Sequence, residues 1–105
     1  MALTITLLYI TFPSQEKAQE MSTHLLESKL VACTNMFPVT SAYWWQDTIE
    51  KDNEIVLLVK TFPECVEKVR KEIESKHEYQ VPLIASWQAE VNEKYYKFML
   101  EVIKN

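Results

Sequence analysis

The sequence predicts an α+β domain ordered β-α-β-β-α-β, with a long β-hairpin at its centre and an added C-terminal helix. Three observations carry this. Apolar runs of strand period alternate with helix-period stripes. A Thr/Tyr/Trp-rich stretch folds back on itself at Gln46-Asp47-Thr48. And Ile5 to Pro13 recurs as Ile55 to Pro63, identical at six of nine positions with a constant offset of 50. A 105-residue chain that writes one strand-to-helix junction twice reads as two related halves of a single domain, residues 1–105.

The first strand runs from Leu3 to Thr11. Leu3, Ile5, Leu7 and Tyr9 alternate with Thr4 and Thr6, and Leu7 to Ile10 is apolar on both faces. A strand of that kind belongs at the centre of a sheet covered on both sides. Pro13 and Ser14 open a helix, with Ser14 as N-cap. Ala18, Met21, Leu25 and Leu26 form its single apolar stripe, and His24 sits at the stripe's edge as a surface residue.

Leu30 to Asn35 starts a second strand, and Pro38 interrupts it as a bulge, bend or edge. Thr40 to Gln46 resumes it. Ile49 to Asp52 returns along it, and Glu54 to Thr61 completes the hairpin. Pro63 suits the first turn of a second helix. There Phe62, Val66, Val69 and Ile73 form the stripe, and the helix ends near Lys76-His77. Tyr79 to Pro82 is extended, because a residue before proline avoids the α region. Leu83 to Val91 is the fourth strand. Asn92 caps a last helix with Tyr95, Phe98, Met99, Val102 and Ile103 on its stripe. The order is that of the split βαβ, or ferredoxin-like, arrangement.

Composition narrows the function. Net charge is −4, with one arginine and no basic run, which opposes a nucleic-acid partner. No apolar stretch reaches the ~18 residues of a membrane span, and no signal peptide is evident at the N-terminus. Cys33 and Cys65 read as reduced thiols of a cytoplasmic protein. Glycine is absent. That excludes Gly-rich phosphate cradles and obliges other residues to take any positive φ.

Tyr43-Trp44-Trp45 places large rings on both faces of a protruding hairpin. Only one face can meet the chain's own core, so these residues read as interface anchors. Cys33, His77 and Glu78 are side-chain types that hold copper or zinc, but their spacing is not that of a zinc site. Cys33 also fits as a small buried hydrophobe, and His77 as a helix C-terminal cap. Lys60 stands where the other repeat has Ile10. It either snorkels to solvent or faces a pocket, with Glu50, Glu54 and Glu78 as candidate partners. Catalytic arrangements are poor. No nucleophile elbow is possible without glycine, and nothing in the spacing pairs Cys33 with His77.

Taken together, several segments resemble the CutA1 divalent-cation tolerance family over essentially the whole chain. They are Leu30-Val31-Ala32-Cys33-Thr34-Asn35, Pro38, and Thr40-Ser41-Ala42-Tyr43-Trp44-Trp45. Ile49, Glu50 and Glu54 follow, then Val59-Lys60-Thr61, His77-Glu78-Tyr79-Gln80-Val81-Pro82, Asn92 and Tyr95. The resemblance implies a ferredoxin-like homotrimer whose hairpins wrap neighbouring subunits; it establishes no enzymatic reaction, and the chain is expected not to be an enzyme. It implies a role in tolerance of divalent metal ions. The expected cofactor is copper or another divalent cation, bound weakly through His77, Glu78 and Cys33 and not required for folding. The copper ligands assigned in some members fall on Ile10, Lys76 and His77, of which only His77 keeps a ligand type. The family's hairpin turn commonly has Gly where this chain has Asp47. The family's recurring residues further imply a pocket lined by Asn35, Trp45, Glu50, Lys60, Tyr79 and Pro82 together with Cys33 and His77. By analogy with trimeric PII signalling proteins, such an inter-subunit cleft is suited to a small organic anion beside Lys60.

Overall fold

The computed structural model describes residues 3–104. Its elements are β1 (Leu3–Phe12), α1 (Gln15–Glu27), β2 (Cys33–Trp45), β3 (Thr48–Thr61), α2 (Val66–Lys76), β4 (Ile84–Val91) and α3 (Glu93–Val102). A short 3₁₀ turn at Pro63–Cys65 leads into α2. The strands form one antiparallel sheet in the order β2-β3-β1-β4, the ferredoxin-like order expected.

Local chemistry explains the joints. Ser14 caps α1 by accepting from the backbone N–H of Lys17 at 3.2 Å. Pro38 does not break β2, which stays paired with β3 from Cys33 to Trp45. β2 is an edge strand, and an edge tolerates a missing N–H. Leu30 to Ala32 lie outside the strand in the bent segment that leads into it, although Ala32 N–H still donates to Lys60 C=O at 3.1 Å. The two arms expected of the hairpin are therefore one uninterrupted ladder. Its two-residue turn holds Gln46 at φ 49° and Asp47 at φ 65°, the positive pair that matches strand twist. Lys29 takes the third positive φ, 65°, just beyond α1.

One face of the sheet carries the helices. Leu8, Ile10 and Phe12 of β1 join Leu57 and Val59 of β3 in a core completed by Ala18, Leu25, Val69, Ile73 and Met99. The opposite face is covered at one end, where Tyr95 of α3 lies under Lys60, and again beyond Leu58, where Val56 is fully buried and Glu54 meets Tyr79. Along the rest of it Leu7, Tyr9 and Leu58 are half-buried, and Phe37 and Trp87 are exposed at 39% and 46%. The expectation that β1 is covered on both sides is therefore met on one side by this chain.

The two copies of the repeat do not present the same faces. Directly opposed residues share a face, and Leu8 opposes Val59 while Tyr9 opposes Leu58. Leu8 thus faces the helices, and its repeat partner Leu58 faces away. Phe12 is still in β1, whereas β3 has ended at Thr61 before Phe62. The halves are offset by one residue relative to the sequence match, and such a slip exchanges faces. Ile10 is a fully buried core residue, and Lys60 lies on the other side of the sheet.

Candidate functional site

The functional candidates fall into three groups along the hairpin. At its base, β2 and β3 oppose Cys33 with Lys60 and Asn35 with Leu58, which puts all four side chains on the open face. Lys60 Nζ donates to Asn35 Oδ1 at 2.8 Å and lies 3.7 Å from Cys33 Sγ. It also sits 5.9 Å from the centroid of the Tyr95 ring, within cation–π range. Burial, then a hydrogen bond with Cys33, push the Tyr95 hydroxyl up to about 12. Glu50, Glu54 and Glu78, the partners expected for Lys60, do not reach it. Glu54 accepts from Tyr79, and Glu78 lies 4.0 Å from Lys17.

The middle group is a latch. His77 follows α2, and its ring stacks on Phe12 with centroids 4.4 Å apart and 15° between planes. Nδ1 accepts the Tyr79 backbone N–H at 3.0 Å. Nε2 therefore carries the proton and donates to Thr11 C=O at 2.8 Å. Tyr79 continues the chain of contacts, its hydroxyl donating to Glu54 Oε2 at 2.6 Å. Glu54 is 8% exposed, so this bond satisfies a carboxylate withdrawn from water. Burial, then the Glu54 hydrogen bond, raise Tyr79 well above the ordinary phenol value of 10.0.

The third group is the hairpin tip. Tyr43, Trp44 and Trp45 are exposed at 41%, 71% and 38%, and Ile49 at 55%. Trp44 and Ile49 oppose each other on one face, and Tyr43 opposes Glu50 on the other. The Tyr43 hydroxyl donates to Asp52 Oδ2. That bond is the main cause of a phenol pushed up to about 12.

The expected metal set is not brought together. Cys33 lies at the hairpin base, whereas His77 sits against Phe12 and Thr11 and uses both ring nitrogens within the chain. Among the described residues no three His, Cys, Asp or Glu side chains group as a cation site. His77 and Glu78 line a shallow cavity of about 160 Å³ with Glu20 and His24, but Lys17 and Lys76 line it too; Lys17 lies beside both Glu20 and Glu78, and His24 is held by Glu72. Of the ligand positions that the resemblance implies, Ile10 is core and Lys76 is cationic. The expected pocket is likewise dispersed. Asn35 and Lys60 stand at the base, Tyr79 in the middle, and Trp45 and Glu50 at the tip; Pro82 is half-buried in the segment between α2 and β4. Two partners escaped the sequence reading. Tyr95 counted there as one residue of an apolar stripe, and Asp52 as part of a turn-flanking strand. Distance along the strand, not parity, excludes Glu54 as a partner of Lys60, since both lie on the same face of β3. Six residues along a strand separate them by about 20 Å.

The latch makes a prediction. His77→Ala removes two hydrogen bonds and a stacking contact, and should lower unfolding free energy by about 2 kcal/mol in urea denaturation. The control is His24→Ala. His24 Nε2 meets Glu72 Oε2 at 2.7 Å between α1 and α2, with both side chains over a third exposed. Its loss should cost under about 1 kcal/mol. Equal losses for the two variants would contradict the latch.

Alkaline titration makes another. A phenol raised in the folded state stabilises fully below its ordinary value and loses that contribution as pH rises toward the raised one. Stability of the wild type should therefore fall above pH 10 more steeply than that of Tyr79→Phe. Parallel pH profiles would remove Tyr79 from the account.

The profile of the CutA1 divalent ion tolerance protein family matches residues 6–102. A divalent-cation tolerance protein CutA of Archaeoglobus fulgidus is 43% identical over 79 residues, which is 75% of this chain and 78% of the relative. A solved CutA structure from that organism, described as periplasmic, superposes with a TM-score of 0.91 at 36% identity. It spans 95% of this chain and 99% of its own. The CutA1 structure of Pyrococcus horikoshii gives a TM-score of 0.92 at 34% identity, again spanning 95% and 99%.

Proposed function

Because the chain belongs to the CutA1 divalent ion tolerance family, we propose that it serves tolerance of divalent metal ions as a non-enzymatic homotrimer. The observation that carries the assembly is the uncovered face of the sheet. Leu7, Tyr9, Phe37, Leu58 and Trp87 give it an apolar surface that helices cover on the other side. The hairpin tip repeats the pattern, with Trp44 and Ile49 exposed on one face and Tyr43 and Trp45 on the other. A large contiguous apolar surface marks an interaction site. The shape agrees. The radius of gyration is 14.6 Å and the long axis 47 Å, against about 13 Å expected for a compact chain of this length. The excess lies in a hairpin that has no core of its own to rest on.

Metal contact in this reading is weak and does not run through a ligand cluster within one chain. Isothermal titration with copper(II) tests it. Weak binding heats are expected, equal for the wild type and His77→Ala, because His77 is held by Thr11 and Tyr79. Heats lost on His77→Ala would restore that residue as a ligand. In cells, deletion of the chain should reduce growth at elevated copper(II), with recovery when it is re-expressed. Growth unaffected by deletion would contradict the metal-tolerance role. The two cysteines are unpaired, which suits the cytoplasm we assign; recovery of the chain in a periplasmic fraction would contradict that assignment.

A second reading is a small organic anion held between subunits. The observation favouring it is Lys60, whose contacts within the chain are an amide oxygen, a thiol and an aromatic ring, none of them anionic. A thermal-shift screen of organic acids should then give a stabilising compound whose effect Lys60→Ala abolishes.

A further inference from the structure

Lys60 and Glu50 are each left incomplete by their own chain. The ammonium has three donors. One goes to Asn35, one to the weak acceptor Cys33, and no carboxylate of the described residues answers the charge. Lys60 is half-buried on the open face of the sheet, where an unneutralised cation is more costly than in water. At the other end of the same strand, Glu50 is exposed and has no hydrogen-bond or ion-pair partner among the described residues. Its neighbours Asp52 and Glu54 are held by Tyr43 and Tyr79.

Both side chains lie on one face. Glu50, Asp52, Glu54, Val56, Leu58 and Lys60 occupy alternate positions of the uninterrupted β3, so they share the face that Leu58 presents. That face is acidic toward the hairpin tip, apolar in the middle and cationic at the base. Ten residues of strand place Glu50 about 33 Å from Lys60, so the two cannot meet within one chain.

We infer that the hairpin tip of one copy lies against the hairpin base of the next, and that the neighbour's Glu50 supplies the counter-charge to Lys60. The inference rests on the homotrimer proposed above and names the contact that completes it. Leu58, half-buried in the middle of the stripe, supplies burial, and the opposed charges at its ends fix direction and register. Charge complementarity of this kind sets orientation more than it adds affinity. The tip brings Trp45 and Tyr43 with Glu50, so residues dispersed in one chain become neighbours of Lys60 across the contact. A partner carboxylate and a small organic anion would compete for the same ammonium, so the experiment has to separate them.

The test is a charge exchange read by sedimentation equilibrium. Lys60→Glu and Glu50→Lys should each weaken assembly by about tenfold or more in dissociation constant. The double exchange should recover most of the loss, since it restores the pair with its sign reversed. Lys60→Met and Glu50→Gln, which add no repulsion, should show smaller losses with unchanged circular dichroism. A double exchange no better than the worse single variant overturns the inference while leaving a wild-type trimer intact. A wild type that sediments as a monomer overturns the trimer itself. An increase in wild-type thermal midpoint on adding citrate or inorganic phosphate, absent in Lys60→Met, would assign the cation to a small anion and likewise overturn the inference.

Discussion

Leu58→Asp should convert the proposed homotrimer to folded monomers at micromolar concentration. Leu58 stands mid-strand on the uncovered face, opposed by Tyr9 on one side and Asn35 on the other. In one chain it is half-buried, so a carboxylate there keeps access to water and the monomer should fold. Buried between subunits, an unpaired carboxylate costs several kcal/mol, and a cyclic assembly incurs that cost at every copy. Circular dichroism should be unchanged, and the sedimenting mass should fall to that of one chain. A variant that stays assembled would place the interface elsewhere.

Leu57→Ala, one residue away, should do the reverse. Leu57 is fully buried against the helices. Truncating it leaves a cavity in the chain's own core and should cost about 2–5 kcal/mol. The measurement is denaturant unfolding at several protein concentrations. An oligomer's apparent stability rises with concentration. Leu57→Ala should lower the whole curve without changing that dependence, and Leu58→Asp should abolish the dependence. If both variants lose stability alike, the distinction between the two faces fails.

Much of this was legible in the sequence because period-two and helix-period patterns are local. The apolar stripes placed every helix, Ser14 marked a cap, and the absence of glycine required other residues to take any positive φ, which Asp47 does along with Gln46 and Lys29. The Ile5 and Ile55 match identified adjacent central strands. It misled about faces, because nine matched residues do not reveal where a strand ends. β1 runs on through Phe12 while β3 stops at Thr61, and one residue exchanges the sides of Leu8 and Leu58. Pro38 allowed a bulge, a bend or an edge, and the order of strands in the sheet decides for the edge.

The site was less legible because its contacts are not local. His77 offered a ligand's chemistry, but its nitrogens are committed to Thr11 and Tyr79, which only the packing of α2 against β1 decides. Lys60 stands apart from its expected carboxylates because Glu50 and Glu54, though on its face of β3, lie too far along the strand for a side chain to span, and Glu78 turns to Lys17. Tyr95 was hidden in an amphipathic stripe, where a ring facing a cation looks like any other apolar residue.

The central claim is that the uncovered face of the sheet and the hairpin tip are an interface between copies of this chain. Light scattering on the purified protein tests it most directly. Three times 12.4 kDa, about 37 kDa, is the mass expected at micromolar concentration, and a species of 12.4 kDa would contradict the account.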